Sequence, residues 1–172
     1  MQAKEGAVQP SSFSPTTTEL LDRAGIICDR RGSRLTELRR QVLGLVLDSE
    51  TPIGAYDLLD RLRTAHKGAA PPTVYRALDF LLDQGLVHKV ERLSAFVGCV
   101  HASGTEEPHR HTDGPTHHHA AQFLICTRCG RTIELEDDDV AAALNTAART
   151  AGFVPHRSTV EVEGLCAGCA SG

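Results

Sequence analysis

Apolar residues recur at helical spacing through the first half of the chain and at strand spacing in most of the rest. Leu20, Leu21, Ala24, Ile27 and Cys28 share one helical face. Thr16, Thr17 and Thr18 offer N-caps ahead of them, and the pattern stops near Arg31-Gly32. Leu38, Val42, Leu45 and Val46 predict a second helix over 36–48, and Leu58, Leu59 and Leu62 a third over 55–63. Pro71-Pro72 is expected to block helix until Thr73, the N-cap of a fourth helix from Val74 to about Gln84. Its inward face carries Leu78, Leu81 and Leu82, and Gly85 ends it. The period then changes. Residues 86–91 and 95–100 read as two short strands joined through Arg92-Leu93-Ser94. Helices closed by a β-hairpin predict a winged helix-turn-helix, whose helix before the wing enters the DNA major groove while the wing touches backbone.

The remaining stretches divide the chain. Residues 1–15 are polar and rich in Ser, Gln and Pro, a composition expected of a disordered tail. Residues 101–119 hold six of the nine His with Gly, Pro and acidic residues and almost nothing apolar. They read as a solvated linker or loop, with a third metal site as the other reading. Beyond them, Phe123-Leu124-Ile125 and Thr132 to Leu135 predict strands around a Cys-x-x-Cys. Asp137, Asp138 and Asp139 open an Ala-rich helix to about Ala151, and Ser158 to Glu163 alternate as a strand. The fold class is therefore α+β: a tail (1–15), a winged-helix domain (16–100), a His-rich linker (101–118) and a small α/β domain (119–172).

Two Cys-x-x-Cys pairs, Cys126/Cys129 and Cys166/Cys169, are the strongest chemical signal. Two pairs supply four thiolates to one tetrahedral zinc and leave no position for substrate. The 36 residues between them are enough for strand, helix and strand, so the metal would tie the ends of one unit together. The other reading, two thioredoxin-like redox motifs, would need each pair to follow a strand and open a helix, and the pattern predicts neither. With six Cys and neither a signal peptide nor a long apolar run, a reducing cytoplasm is expected, where thiols bind metal.

Composition sets further bounds. At 41% hydrophobic, 172 residues can bury one moderate core or two small ones, and without Trp these are aliphatic. No 18-residue apolar stretch is present to span a membrane. The net charge of −4 argues against bulk non-specific nucleic-acid binding. It is uneven: residues 1–99 hold 13 Lys/Arg against 12 Asp/Glu, and residues 100–172 hold 5 against 10. Any anion-binding surface thus belongs to the first half. Enzyme signatures are lacking: no Gly-x-Ser-x-Gly, no phosphate-binding Gly loop, and no His-x-Glu paired with Pro-Cys-x-x-Cys. A protein-interaction module built on a winged helix is the better rival.

At Pro71-Pro72-Thr73-Val74-Tyr75-Arg76-Ala77-Leu78 and Leu124-Ile125-Cys126-Thr127-Arg128-Cys129-Gly130 the chain resembles the ferric uptake regulator family. Ala55-Tyr56-Asp57-Leu58-Leu59, the run from Pro71 through Val90, and Leu165-Cys166-Ala167-Gly168-Cys169 are similar to its zinc-responsive branch. The likeness covers roughly residues 17–100 and 119–170. It implies a dimeric transcriptional repressor that, loaded with zinc, binds a pseudo-palindromic operator and controls zinc-uptake genes. The second domain would then be the dimerisation domain. Residue by residue, the resemblance puts Tyr56 and Arg76 at bases and Thr73 and Tyr75 at or near the phosphate backbone. Arg can bond guanine O6 and N7 together, and Thr73 with nearby main-chain N–H groups suits a phosphate at a helix N-terminus. A protein-binding surface has no need of such a reader. Asp60 and Arg63 correspond to positions through which two dimers pair on one operator; a plain helix salt bridge is the other reading. Glu37-Leu38-Arg39 departs from the family's Pro-Gln-Arg, but Thr36 can still cap.

A closed four-thiolate site cannot respond to zinc, so about two zinc ions per chain are expected, the second at a weaker site. The resemblance implies His88, Cys99, His119 and Glu134, with His88 and Cys99 facing each other on the hairpin and the other two donated by the second domain. His117 is the alternative to His119, depending on whether Cys126 or Pro115-Thr116 anchors the count. An N2SO set suits tetrahedral zinc. Cys99 has a bland reading as a core hydrophobe, which is how Cys28 is read, and Glu134 as a solvent-facing carboxylate. An iron- or peroxide-responsive member of the family is the alternative function, and it would want a hard N/O set without thiolate.

Overall fold

The first of two small β-sheets closes a group of four helices, and the second stacks on its outer face, in a computed structural model that describes residues 13–99, 121–155 and 158–171. Helices α1 (Pro15–Arg30) and α2 (Glu37–Leu47) lead to a two-residue strand, β1 (Ile53–Gly54). Helices α3 (Ala55–Leu62) and α4 (Pro71–Asp83) follow, then the hairpin β2 (Val87–Val90) and β3 (Ala95–Gly98). The second sheet comprises β4 (Ala121–Cys126), β5 (Thr132–Leu135) and β6 (Thr159–Gly164), with α5 (Asp138–Thr150) before β6 and a single turn, α6 (Ala167–Ala170), after it. Sheet orders are β1-β3-β2, antiparallel, and β5-β4-β6, in which β6 runs parallel to β4. No helix among the described residues is long and apolar enough to cross a membrane.

Several local expectations change. Helix α1 starts at Pro15, capped by Ser14, whose side chain accepts from Thr17 N–H; Thr17 is then buried rather than capping. Proline at N1 costs nothing there, since its missing N–H would have had no partner in the helix. The same reasoning corrects α4. It begins at Pro71 with Ala70 at the cap, so Thr73 lies inside the first turn and its N–H bonds Ala70 O at 2.9 Å. Thr36 takes the cap position of α2 without a side-chain cap bond. β1, too short for its own pattern, pairs Ile53 with Phe96.

The main core joins all four helices to the hairpin through Leu21, Val42, Leu58, Leu62, Val74, Leu78, Leu81 and Val87, each at most 1% exposed. Cys28 lies in it, and burial, the leading cause, raises its thiol pKa. At Gly44 the Phe13 ring comes so close that a Cβ would stand 2.3 Å from it. A smaller core joins the two sheets: Val90, with Val97 beside it, packs on Ala121, Phe123 and Ile125.

Strand alternation gives each face of the second sheet its own task. Phe123 pairs with Glu134 on one side and Glu161 on the other, so all three project toward the wing hairpin. Leu124 pairs with Ile133 and Val162, which project the opposite way and are 38%, 40% and 51% exposed. No residue of α5 is buried.

Candidate metal centres and nucleic-acid interface

The four cysteines converge because β4 and β6 run in parallel and end level with each other. Cys126 is in register with Gly164, so the second pair begins where the first does. Gly130, at φ +73°, turns the chain back after the first pair, and its N–H bonds Cys126 O at 2.9 Å. The sulfurs of Cys126, Cys129, Cys166 and Cys169 lie within 4.8 Å of one another, and all four cysteines are free thiols. Cys129 Sγ stands 3.8 Å from Cys166 Sγ. Two thiolates at about 2.3 Å from a tetrahedral zinc stand about 3.8 Å apart, whereas a disulfide would need about 2.05 Å.

Crowding and hydrogen bonds among the four sulfurs drive their acidities apart. Cys126 is lowered to about 6, first by the Cys166 N–H that donates to its Sγ at 3.4 Å, then by the Cys129 N–H. Cys169 is raised to about 12 by hydrogen bonds with the sulfurs of Cys166 and Cys129. A divalent cation removes this conflict by making four thiolates favourable together. The second pair does follow a strand and open a helix, contrary to the sequence expectation, since Cys166 caps α6 directly after β6. That helix is one turn long, and the sulfur pairing crosses between the two motifs. A metal site fits this better than a redox pair.

The second cluster spans the two sheets. His88 Nε2 stands 3.1 Å from Glu134 Oε1, and Cys99 Sγ lies with them inside 4.8 Å. Nitrogen and oxygen ligands of one tetrahedral zinc stand about 3.3 Å apart. His88 and Cys99 do not face each other: His88 opposes Val97, so Cys99 is the diagonal neighbour on the same face. His88 is 7% exposed and Cys99 1%, while the Glu134 side chain is only 5% exposed, so it is not the solvent-facing carboxylate of the bland reading. The Phe123 ring meets His88 edge-on, its centroid 6.0 Å away. Holding imidazole, carboxylate and thiol together in so dry a place is costly unless a cation compensates. His119, its alternative His117 and the other histidines of 101–118 fall outside the described residues.

The DNA-reader candidates occupy the N-terminal halves of two helices, Tyr56 and Thr73 in the first turn and Tyr75 and Arg76 in the second. Tyr56, second residue of α3, is 67% exposed, and Tyr75, on α4, is 44% exposed with an exposed Arg76 beside it. Thr73 is half-buried. The main-chain cradle expected around it is reduced, because Pro71 and Pro72 carry no N–H and Thr73 N–H is already bonded. Asp60 and Arg63 form a helix ion pair at 3.3 Å, their side chains 75% and 47% exposed. Such a pair adds little stability and leaves both charges on the surface.

Two further residues at the contact between the sheets belong to no motif of the sequence. Glu161 and Glu163 on β6 reach the 3-10 turn of the wing (Glu91–Leu93): Glu161 accepts from two of its N–H groups, and Glu163 pairs with Arg92 at 2.7 Å. The alternation Val160-Glu161-Val162-Glu163 placed both carboxylates on one strand face. Nothing local said what that face would meet.

A winged helix-turn-helix whose wing shares buried donor side chains with a cysteine-clustered second sheet has the architecture of a metal-dependent DNA-binding regulator. The chain belongs to the ferric uptake regulator family, whose model matches residues 30–163. It is 46% identical over 154 residues to the zinc uptake regulation protein of Escherichia coli (strain K12), covering 90% of this chain and 83% of that one. It is 31% identical over 140 residues to the zinc uptake regulation protein of Mycobacterium tuberculosis, covering 81% and 97%. Among solved structures it is similar to a zinc uptake regulator complexed with zinc and DNA, with a TM-score of 0.80, 44% identity, and 92% of this chain and 97% of that one covered. It is also similar to holo XcZur, with a TM-score of 0.75, 44% identity, and 90% and 99% covered.

Proposed function

We propose that this protein is a zinc-responsive transcriptional repressor of the cytoplasm, which binds operator DNA as a zinc-loaded homodimer and controls zinc-uptake genes. It is not an enzyme in this reading. The observation that carries it is the His88–Cys99–Glu134 cluster, whose donors come from the wing on one side and from β5 on the other. An ion held there fixes the winged helix against the second sheet, and through it the direction in which α4 points. Cys126, Cys129, Cys166 and Cys169 hold a structural zinc, while His88, Cys99, Glu134 and His119 hold the regulatory one, with His117 as the alternative fourth ligand. The thiolate favours zinc over iron.

Repression needs two such helices at operator spacing. The exposed apolar row Ile133–Leu124–Val162 supports a second copy as the partner. On DNA, Arg76 and Tyr56 meet bases, and Thr73 and Tyr75 meet the backbone. Asp60 and Arg63 are left free to exchange partners with a neighbouring dimer.

The test is a gel-shift titration of the protein against buffered free zinc, beside iron and manganese. Operator binding that rises with zinc alone is expected. Binding independent of zinc, or equal with iron, would overturn the reading.

A further inference from the structure

The wing is gripped at both ends, and only one end involves metal ligands. At the far end from His88, the chain leaves β2 into the 3-10 turn Glu91–Leu93, which ends at Ser94 in the left-handed region, φ 48°. The first N–H groups of such a turn point outward without partners of their own. Val90, at its cap position, has no side-chain acceptor to offer them. Glu161 supplies what Val90 cannot. One carboxylate oxygen accepts Glu91 N–H at 2.6 Å and the other accepts Arg92 N–H at 3.0 Å.

We propose that Glu161 is a positioning residue for the regulator, a metal-independent latch that caps the wing turn from the second sheet and so favours the arrangement in which the zinc donors are assembled. The strand register makes the two grips one device. Glu134, Phe123 and Glu161 lie side by side across β5, β4 and β6: one reaches His88, one packs against it and against Val90, and the last holds the turn that follows Val90. Any rotation that parts Glu134 from His88 must also break the Glu161 contacts or bend β2. The neighbouring charges contribute less. Arg92 and Glu163 pair at 64% and 42% exposure, and Lys89 pairs with Glu91 at 38% and 65%, so both pairs are screened by water. A carboxylate accepting two backbone N–H groups is charge-assisted and geometrically demanding.

The consequence for sensing follows from linkage. A latch that stabilises the assembled arrangement without zinc lowers the free zinc needed to complete it, by the factor through which it shifts that equilibrium. Removing it raises the zinc requirement and leaves the fully loaded state able to bind DNA. The inference rests on the zinc-responsive reading for its importance, but its first two measurements involve no DNA.

The experiment compares the full chain with Glu161→Ala, Glu161→Gln and Glu163→Gln, each loaded with the four-thiolate zinc. Hydrogen exchange of the Glu91 and Arg92 amides should be slow in parent and Glu163→Gln, and faster in Glu161→Ala even at saturating zinc. The free zinc that half-fills the second site should rise about three- to tenfold in Glu161→Ala, less in Glu161→Gln, which keeps one acceptor. Operator affinity at saturating zinc should stay near that of the parent, separating a positioning role from general damage. Should Glu161→Ala fail to fold, the same shifts, smaller, are read in Glu161→Gln. Parent-like exchange and zinc midpoint in the folded variants would overturn the latch. A parent that ignores operator DNA would instead overturn the proposed function, leaving the exchange result to stand alone.

Discussion

His88 Nε2 and Glu134 Oε1 stand 3.1 Å apart although they belong to different sheets, and each side chain is less than a tenth exposed. Two ionisable groups are seldom brought so close in so dry a place for stability alone. With Cys99 beside them they form a site that exists only when the wing rests on the second sheet.

The first prediction tests that dependence. Cys99→Ser should lose zinc-dependent operator binding while retaining the dimer and one tightly held zinc per chain. Titrating zinc into parent and variant with operator present is decisive. A common midpoint would remove this cluster as the sensor and turn attention to the histidines of 101–118.

The four-thiol site should behave as a structural fastener. Purified protein is expected to hold about two zinc ions per chain, one of which resists mild chelation. Cys126→Ser should unfold or dissociate the second unit, because β4 and β6 are joined at that end by Cys126 and Cys166. Metal analysis and sedimentation on the variant would show it; an intact dimer with unchanged zinc content would refute the assignment.

Where zinc is stripped under conditions that keep the four sulfurs in place, the acidity split should show directly. Cys126, lowered to about 6 by the Cys166 N–H at its sulfur, should react mainly as thiolate at pH 7 and lose that reactivity as the pH falls through that value. Cys169, raised to about 12, stays a thiol across the same range. Alkylation at pH 7 followed by peptide mapping should therefore mark Cys126 well before Cys169, and zinc should protect both. Equal labelling of the two would contradict the split.

On DNA, Arg76→Ala should cost about 1–3 kcal/mol and relax preference at one position per half-site. A selection over randomised operators reads this out. Uniform weakening over all sequences would make Arg76 a phosphate contact instead.

Val162→Glu should leave the fold intact, since its side chain lies on an exposed face, and shift the protein toward monomer. Sedimentation across a concentration series gives the answer. Monomeric parent protein with full operator affinity would exclude the dimer altogether.

Much of this protein is decided locally. Helical periodicity, the left-handed glycines Gly32 and Gly85 after α1 and α4, and the Asp137 cap of α5 are short-range facts, so the elements could be read from neighbours in the chain. So could the four-cysteine chemistry, because spacing within each pair already dictates two thiolates on one turn. Helix starts were less legible at Ser14 and Ala70, where a proline that interrupts a helix elsewhere begins one. What no window of sequence contained was the meeting of the two sheets. Glu134 and Glu161 look alike as strand carboxylates, yet the register of β4 with both its neighbours sends one to His88 and the other to the wing turn. Cys99 is core filler by local pattern and a ligand by the family resemblance, and the structure sets the β5 carboxylate of Glu134 beside it. Strand alternation states which residues share a face, whereas what that face touches depends on segments tens of residues away, whose positions tertiary packing alone decides.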